Sequence, residues 1–165
     1  MVKFTIDKHH VCFPSKLLAG NGGAHIYNVV LSEDTDNGTI IGKGAYVSFD
    51  QYEQATAPTK YEGIITEQAA DGNWYVEVVE PADALLVDEV EDIPYTNYDS
   101  RFTDLANFYN AKEDVVRAYA LCKGDVYELS EDAFTGTPAP GKKVTVSGQK
   151  HVVAGSTNST PGVTD

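Results

Sequence analysis

Two β-rich runs, Tyr61-Glu62-Gly63-Ile64-Ile65-Thr66-Glu67 and Trp74-Tyr75-Val76-Glu77-Val78-Val79, flank Ala70-Asp71-Gly72-Asn73. Asp-Gly between such runs demands a tight hairpin, because the glycine takes the positive φ that the turn requires. The same grammar recurs along the chain. Residues 24–31 and 39–49 read as a second hairpin around the acidic loop 32–38, with glycines at 42 and 44 where a bulge would sit. Residues 84–87 form a short apolar run. Residues 115–122 and 126–129 flank Lys123-Gly124-Asp125, and 144–147 pairs with 151–154 across Gly148-Gln149. Short strands at close spacing predict a mainly β fold, a small barrel or sandwich with one or two short helices. One helix is predicted within residues 100–113, where Phe102, Leu105, Ala106 and Tyr109 share a helical face, and a capped turn follows Ser130.

The ends differ from the middle. Residues 1–23 have no clear period and close on Gly20-Asn21-Gly22-Gly23, so they read as an extended N-terminal arm. Fully extended it would reach roughly 75 Å, at about 3.3 Å per residue. It either lies on a neighbouring molecule or wraps its own barrel. Residues 24–154 make the β-rich globular domain, and 155–165 a flexible polar tail.

Charge narrows the function classes. Twenty-five acidic and twelve basic side chains leave a net −13 on 165 residues. No basic patch offsets that charge, so neither nucleic acid nor an anionic membrane is an expected partner. The first residues lack the apolar core of a signal peptide, and no run of about 18 apolar residues could span a bilayer. Cys12 and Cys122 read as two reduced thiols of a protein made in a reducing cytosol.

Catalytic patterns are absent: no phosphate-binding glycine loop, no nucleophile elbow, no His-Glu-x-x-His. His9 and His10 are adjacent on an extended segment and point apart, which disfavours joint metal binding. Cys12 near those histidines offers a nucleophile beside a base, without a third orienting group. Asp34, Asp36 and Asn37 resemble part of a calcium loop but lack its distal glutamate. Glu89 and Glu91 are a carboxylate pair of commonplace spacing. No enzyme activity, cofactor or metal is expected. Residues 80–114 hold ten acids and two bases, and read as a solvated acidic face or one that docks on a basic partner. Within that block, 93–98 is aromatic-rich. Tyr95 and Tyr98, together with Phe13 in the arm, are the expected partner-binding anchors. Trp74, Tyr75 and Tyr46 could offer a sugar platform, although strand alternation sends Trp74 and Tyr75 to opposite faces.

The run from Arg117 to Ser130 with its Lys123-Gly124-Asp125 turn, then Phe134, then Pro140-Gly141-Lys142-Lys143 leading into Val144-Thr145-Val146, resembles small structural proteins of tailed bacteriophages. Head-decoration proteins (capsid cement or auxiliary capsid proteins) are the group it most resembles, over about 30 residues that carry no catalytic motif. That resemblance implies a structural virion protein, made in the host bacterial cytoplasm, which binds the outside of an assembled capsid. The major capsid protein would be its partner, with self-association on the shell as a further expectation. The alternative is a phage tail or head-fibre module, or a carbohydrate-binding β-domain.

Overall fold

A computed structural model describes residues 8–20, 25–48, 51–55, 57–58, 60–91 and 105–155. The fold is mainly β, with a closed five-stranded barrel beside a seven-stranded sheet. The strands are β1 (Cys12–Lys16), β2 (Ile26–Val30), β3 (Ile40–Ser48), β4 (Gln51–Gln54), β5 (Glu62–Gln68) and β6 (Trp74–Glu80). They continue with β7 (Ala84–Val87), β8 (Val115–Ala120), β9 (Val126–Leu129), β10 (Phe134–Thr135), β11 (Lys143–Ser147) and β12 (Lys150–Val153). The barrel closes in the order β2-β4-β3-β7-β8, and the open sheet runs β1-β9-β6-β5-β11-β12-β10.

Adjacent apolar residues explain how the two layers meet. In a strand, neighbouring side chains point to opposite faces, so a doubly apolar pair marks a strand buried on both sides. Ile41, Leu85 and Val87, with Val29, Val116 and Ala118, form one buried cluster that fills the barrel. Their neighbours Ile40, Ala84, Leu86 and Tyr119 belong to the other cluster, packed with Ile65, Val76, Val78, Tyr127, Leu129 and Val144 of the sheet. β7 (Ala84-Leu85-Leu86-Val87) is buried along its whole length for this reason.

The β5–β6 hairpin forms across Asp71-Gly72, with Gly72 at φ +90°. The β11–β12 hairpin forms across Gly148-Gln149. The expected hairpin of 24–31 with 39–49 does not form. β2 pairs parallel with β4 and antiparallel with β8, while β3 pairs with β4 and β7. The acidic loop between β2 and β3 is not a tight turn, because Thr35 bridges away to Asn110 through N–H···O contacts of 2.8 and 2.9 Å. Lys123-Gly124-Asp125 does turn the chain, with the Asp125 carboxylate accepting from Cys122 N–H at 2.8 Å. The strands it joins, however, enter different sheets.

The described part of the expected helix over 100–113 is a single 3-10 turn, Leu105–Asn107. Beyond it Asn110 is held extended against Thr35, which ends helical winding. The turn Glu131–Ala133 follows Ser130, but the Ser130 hydroxyl leaves it uncapped and accepts instead from Val11 N–H at 2.9 Å. That contact belongs to the N-terminal segment. Residues 12–16 are β1, paired with β9, and Leu17 and Ala19 are buried in the core. Over its described residues, 8–20, the expected arm therefore lies on its own chain. Residues 1–7 and 156–165 lie outside the described residues.

Candidate functional site

The solvent face of the seven-stranded sheet carries the most distinctive row of side chains. Cys12, Leu129, Tyr127 and Val76 point into the core. Alternation turns Phe13, Glu128 and Tyr75 outward, and the register aligns Phe13 with Glu128 and Glu128 with Tyr75. Two half-buried aromatic rings thus flank Glu128, a residue only 7% exposed. Beside the row runs a groove of about 390 Å³ lined by Ser15, Lys16, Thr66, Glu67, Tyr75 and Val126. A register shift between Pro14 and Lys16 brings Lys16 to the groove wall.

Glu128 accepts from Asn73 Nδ2 at 3.0 Å, and the Asn73 backbone N–H donates to Asp71 at 3.2 Å. Burial raises the Glu128 pKa, and the hydrogen bond with the Asp71 carboxyl raises it further. The same contact lowers Asp71. The two acids are thus pushed apart, Glu128 toward its protonated form and Asp71 toward its charged one.

A second aromatic group lies on the barrel. Tyr27 and Tyr52 stand edge to face at 5.7 Å and 74°, and Tyr46 meets Tyr52 at 5.8 Å and 72°. The Lys43 ammonium sits 4.0 Å from the Tyr27 ring centre and 5.8 Å from that of Tyr52. Tyr46 and Val47 are more than half exposed.

The polar residues expected to carry chemistry serve the backbone instead. Asp36 accepts from His9 Nδ1 at 2.7 Å and from the His10 backbone N–H at 3.1 Å, and His9 stacks on Tyr109. Asp34 accepts from Lys112 N–H at 2.8 Å. Glu89 accepts from Arg117 N–H at 3.0 Å, and Asn37 Nδ2 donates to the Glu89 carbonyl at 2.9 Å. Among the described residues no group of His, Cys, Asp or Glu is arranged to hold a metal ion. Cys12 is 1% exposed, and burial pushes its thiol pKa well up, away from the thiolate a nucleophile needs. In the core the Tyr127 hydroxyl bonds to Tyr61 and, at 2.7 Å, to His151 Nε2. Burial drives His151 down to about 3, so it is neutral at physiological pH.

Of the three expected anchors, Phe13 stands in the outward row, whereas Tyr95 and Tyr98 lie outside the described residues. Tyr75 faces out and Trp74 packs against the core, as alternation requires. That Tyr75 and Glu128 each face outward was readable in the period of two on its own strand, but their pairing across β6 and β9 was not. The Tyr27–Tyr52 corner had no readable signal, because it depends on a parallel pairing that no turn announces. No protein-family model, curated protein or solved structure matches this chain.

Proposed function

We propose that this chain is a structural virion protein that binds the outer surface of an assembled phage capsid, contacts the major capsid protein and stabilises the shell. The observation that supports this reading best is the outward row of Phe13 and Tyr75, both half-buried, on the sheet face turned away from the core. Surface ion pairs contribute only about 0–1 kcal/mol each and are screened by salt, so lasting attachment needs apolar anchors repeated over a lattice. Aromatic rings around a desolvated centre are the residues that dominate protein interfaces. The net −13 charge then sets encounter rate and orientation on a basic partner. Tyr95 and Tyr98 remain part of the proposed anchor, and self-association on the capsid part of the proposal.

Co-sedimentation with empty capsids of the cognate phage tests it. Replacing Phe13 and Tyr75 by serine should leave a folded domain that dissociates about tenfold faster per ring, the loss expected for about 1.5 kcal/mol of apolar contact. Unchanged residence on the shell, with the fold intact by circular dichroism, would remove this face from the proposal. One observation favours a second reading, a carbohydrate-binding module. The Tyr75 groove combines an aromatic ring with the hydroxyls of Ser15 and Thr66 and the charges of Lys16 and Glu67. Binding to a glycan array that Tyr75→Ser abolishes, without capsid binding, would select it.

A further inference from the structure

Lys43 is placed unusually for a lysine in so acidic a chain. With 25 acidic side chains available, its ammonium pairs with no carboxylate among the described residues and sits between two tyrosine rings. The rings make a corner: Tyr27 and Tyr52 stand at 74° with centres 5.7 Å apart, and Tyr46 continues the wall edge-on to Tyr52. The corner is built by the barrel itself. Tyr27 is on β2 and Tyr52 on β4, two strands joined in parallel, while β3 carries Lys43 and Tyr46 alongside. A cation within about 6 Å of a tyrosine face is attracted by the ring quadrupole, and perpendicular rings converging on one point are how proteins hold alkylammonium groups.

We propose that the Tyr27–Tyr52 corner is a recognition site for an ammonium group on an alkyl carbon, which Lys43 occupies as an internal stand-in until an external cation displaces it. Two features suit it to exchange. Lys43 is an exposed side chain on a four-carbon stem, so its ammonium can swing into water without breaking a salt bridge to any of the described residues. The chain's net −13 charge raises the local concentration of incoming cations. The ligand chemistry has two sources, the lysine side chain of another protein and a small quaternary amine. This inference stands on the barrel and is independent of the capsid reading, which stands on the sheet.

Tyrosine-ring NMR of the full chain tests it, with tetramethylammonium and Nα-acetyl-lysine methylamide as separate probes against sodium chloride at matched ionic strength. Lys43→Met keeps the stem and removes the stand-in, and Tyr52→Leu removes the shared wall. The parent should bind with a Kd of about 100–200 mM, the tens of millimolar expected for two exposed ring contacts weakened by the need to displace Lys43. Lys43→Met should bind about fivefold tighter, the release of a competitor worth about 1 kcal/mol. Adding Tyr52→Leu to Lys43→Met should abolish the shifts at Tyr27 while the far-ultraviolet spectrum is retained. Tighter binding of the lysine derivative assigns the corner to a protein side chain, and tighter binding of tetramethylammonium to a small amine. Absence of shifts beyond the salt control in Lys43→Met, equal affinity of Lys43→Met and parent, or binding that survives loss of Tyr52 would each overturn the proposal.

Discussion

Asp88 is only 6% exposed, and its carboxyl is pushed from 3.8 up to about 7. Burial is the main cause, the neighbouring charges of Glu91 and Glu89 add to it, and the Arg117 guanidinium opposes it. Arg117 does not neutralise the acid directly, because its Nε donates to the Asp88 carbonyl at 3.2 Å. The fold therefore holds a proton on this group that the open chain has released between pH 4 and 7. A raised pKa gives stability that is fully present below the unfolded value and is lost as pH climbs through the folded one. Asp88→Asn should then stabilise the protein at pH 8 by about 2 kcal/mol, the relief of a linkage cost of about 4 less about 2 for burying the amide, and destabilise it by about 1–2 kcal/mol at pH 4, where only the amide's cost remains. Urea denaturation at the two pH values reads this directly. Equal effects at both would mean that Asp88 is not the titrating group.

At the scale of strands, the local contacts were legible and the distant ones were not. Asp71-Gly72 and Gly148-Gln149 specify their hairpins because each turn fixes the pairing of the strands beside it. β7 was legible from its unbroken apolar run. The pairing of β2 with β4 and β8 left no such mark, since parallel and long-range partners are chosen by packing after the chain has looped away. Phe13 was legible as an aromatic in an irregular segment, yet not as an outward residue of an edge strand. The glycines of β3 show the value of the local signal. The register of β3 against β4 shifts between Lys43 and Tyr46, and a Cβ on Gly44 would stand 2.0 Å from the Glu53 carbonyl oxygen. Gly44→Ala must push β4 away and disturb Tyr52 with it. We expect a loss of about 2–4 kcal/mol, at the upper end for single substitutions. Gly72→Ala, whose φ is +90° but whose Cβ would meet nothing, should lose only about 1 kcal/mol. Chemical denaturation of both variants measures the contrast, and similar losses would show that β4 yields at no cost.

Across the whole molecule the chain alternates between its two layers. It leaves the sheet after β1 for the barrel strands β2, β3 and β4, returns for β5 and β6, crosses back for β7 and β8, and finishes in the sheet. Barrel residues Ile40, Ala84, Leu86 and Tyr119 share one core with sheet residues Ile65, Val76, Tyr127 and Leu129. Neither layer can release its apolar face without exposing that of the other, so unfolding should be a single cooperative event. Trp74, the sole tryptophan, packs against this core from the sheet and reports on it by fluorescence. Ile41 is 1% exposed inside the barrel, and Ile65 is fully buried in the sheet. Truncating either to alanine should cost about 2–5 kcal/mol, the range for a large aliphatic side chain in a packed core. If the layers unfold together, Ile41→Ala lowers the denaturation midpoint seen by Trp74 as much as that seen by far-ultraviolet circular dichroism, although Ile41 belongs to the barrel cluster. If Ile41→Ala moves the circular dichroism transition and leaves the Trp74 transition where it was, the barrel and the sheet are separate folding units and the shared core does not couple them.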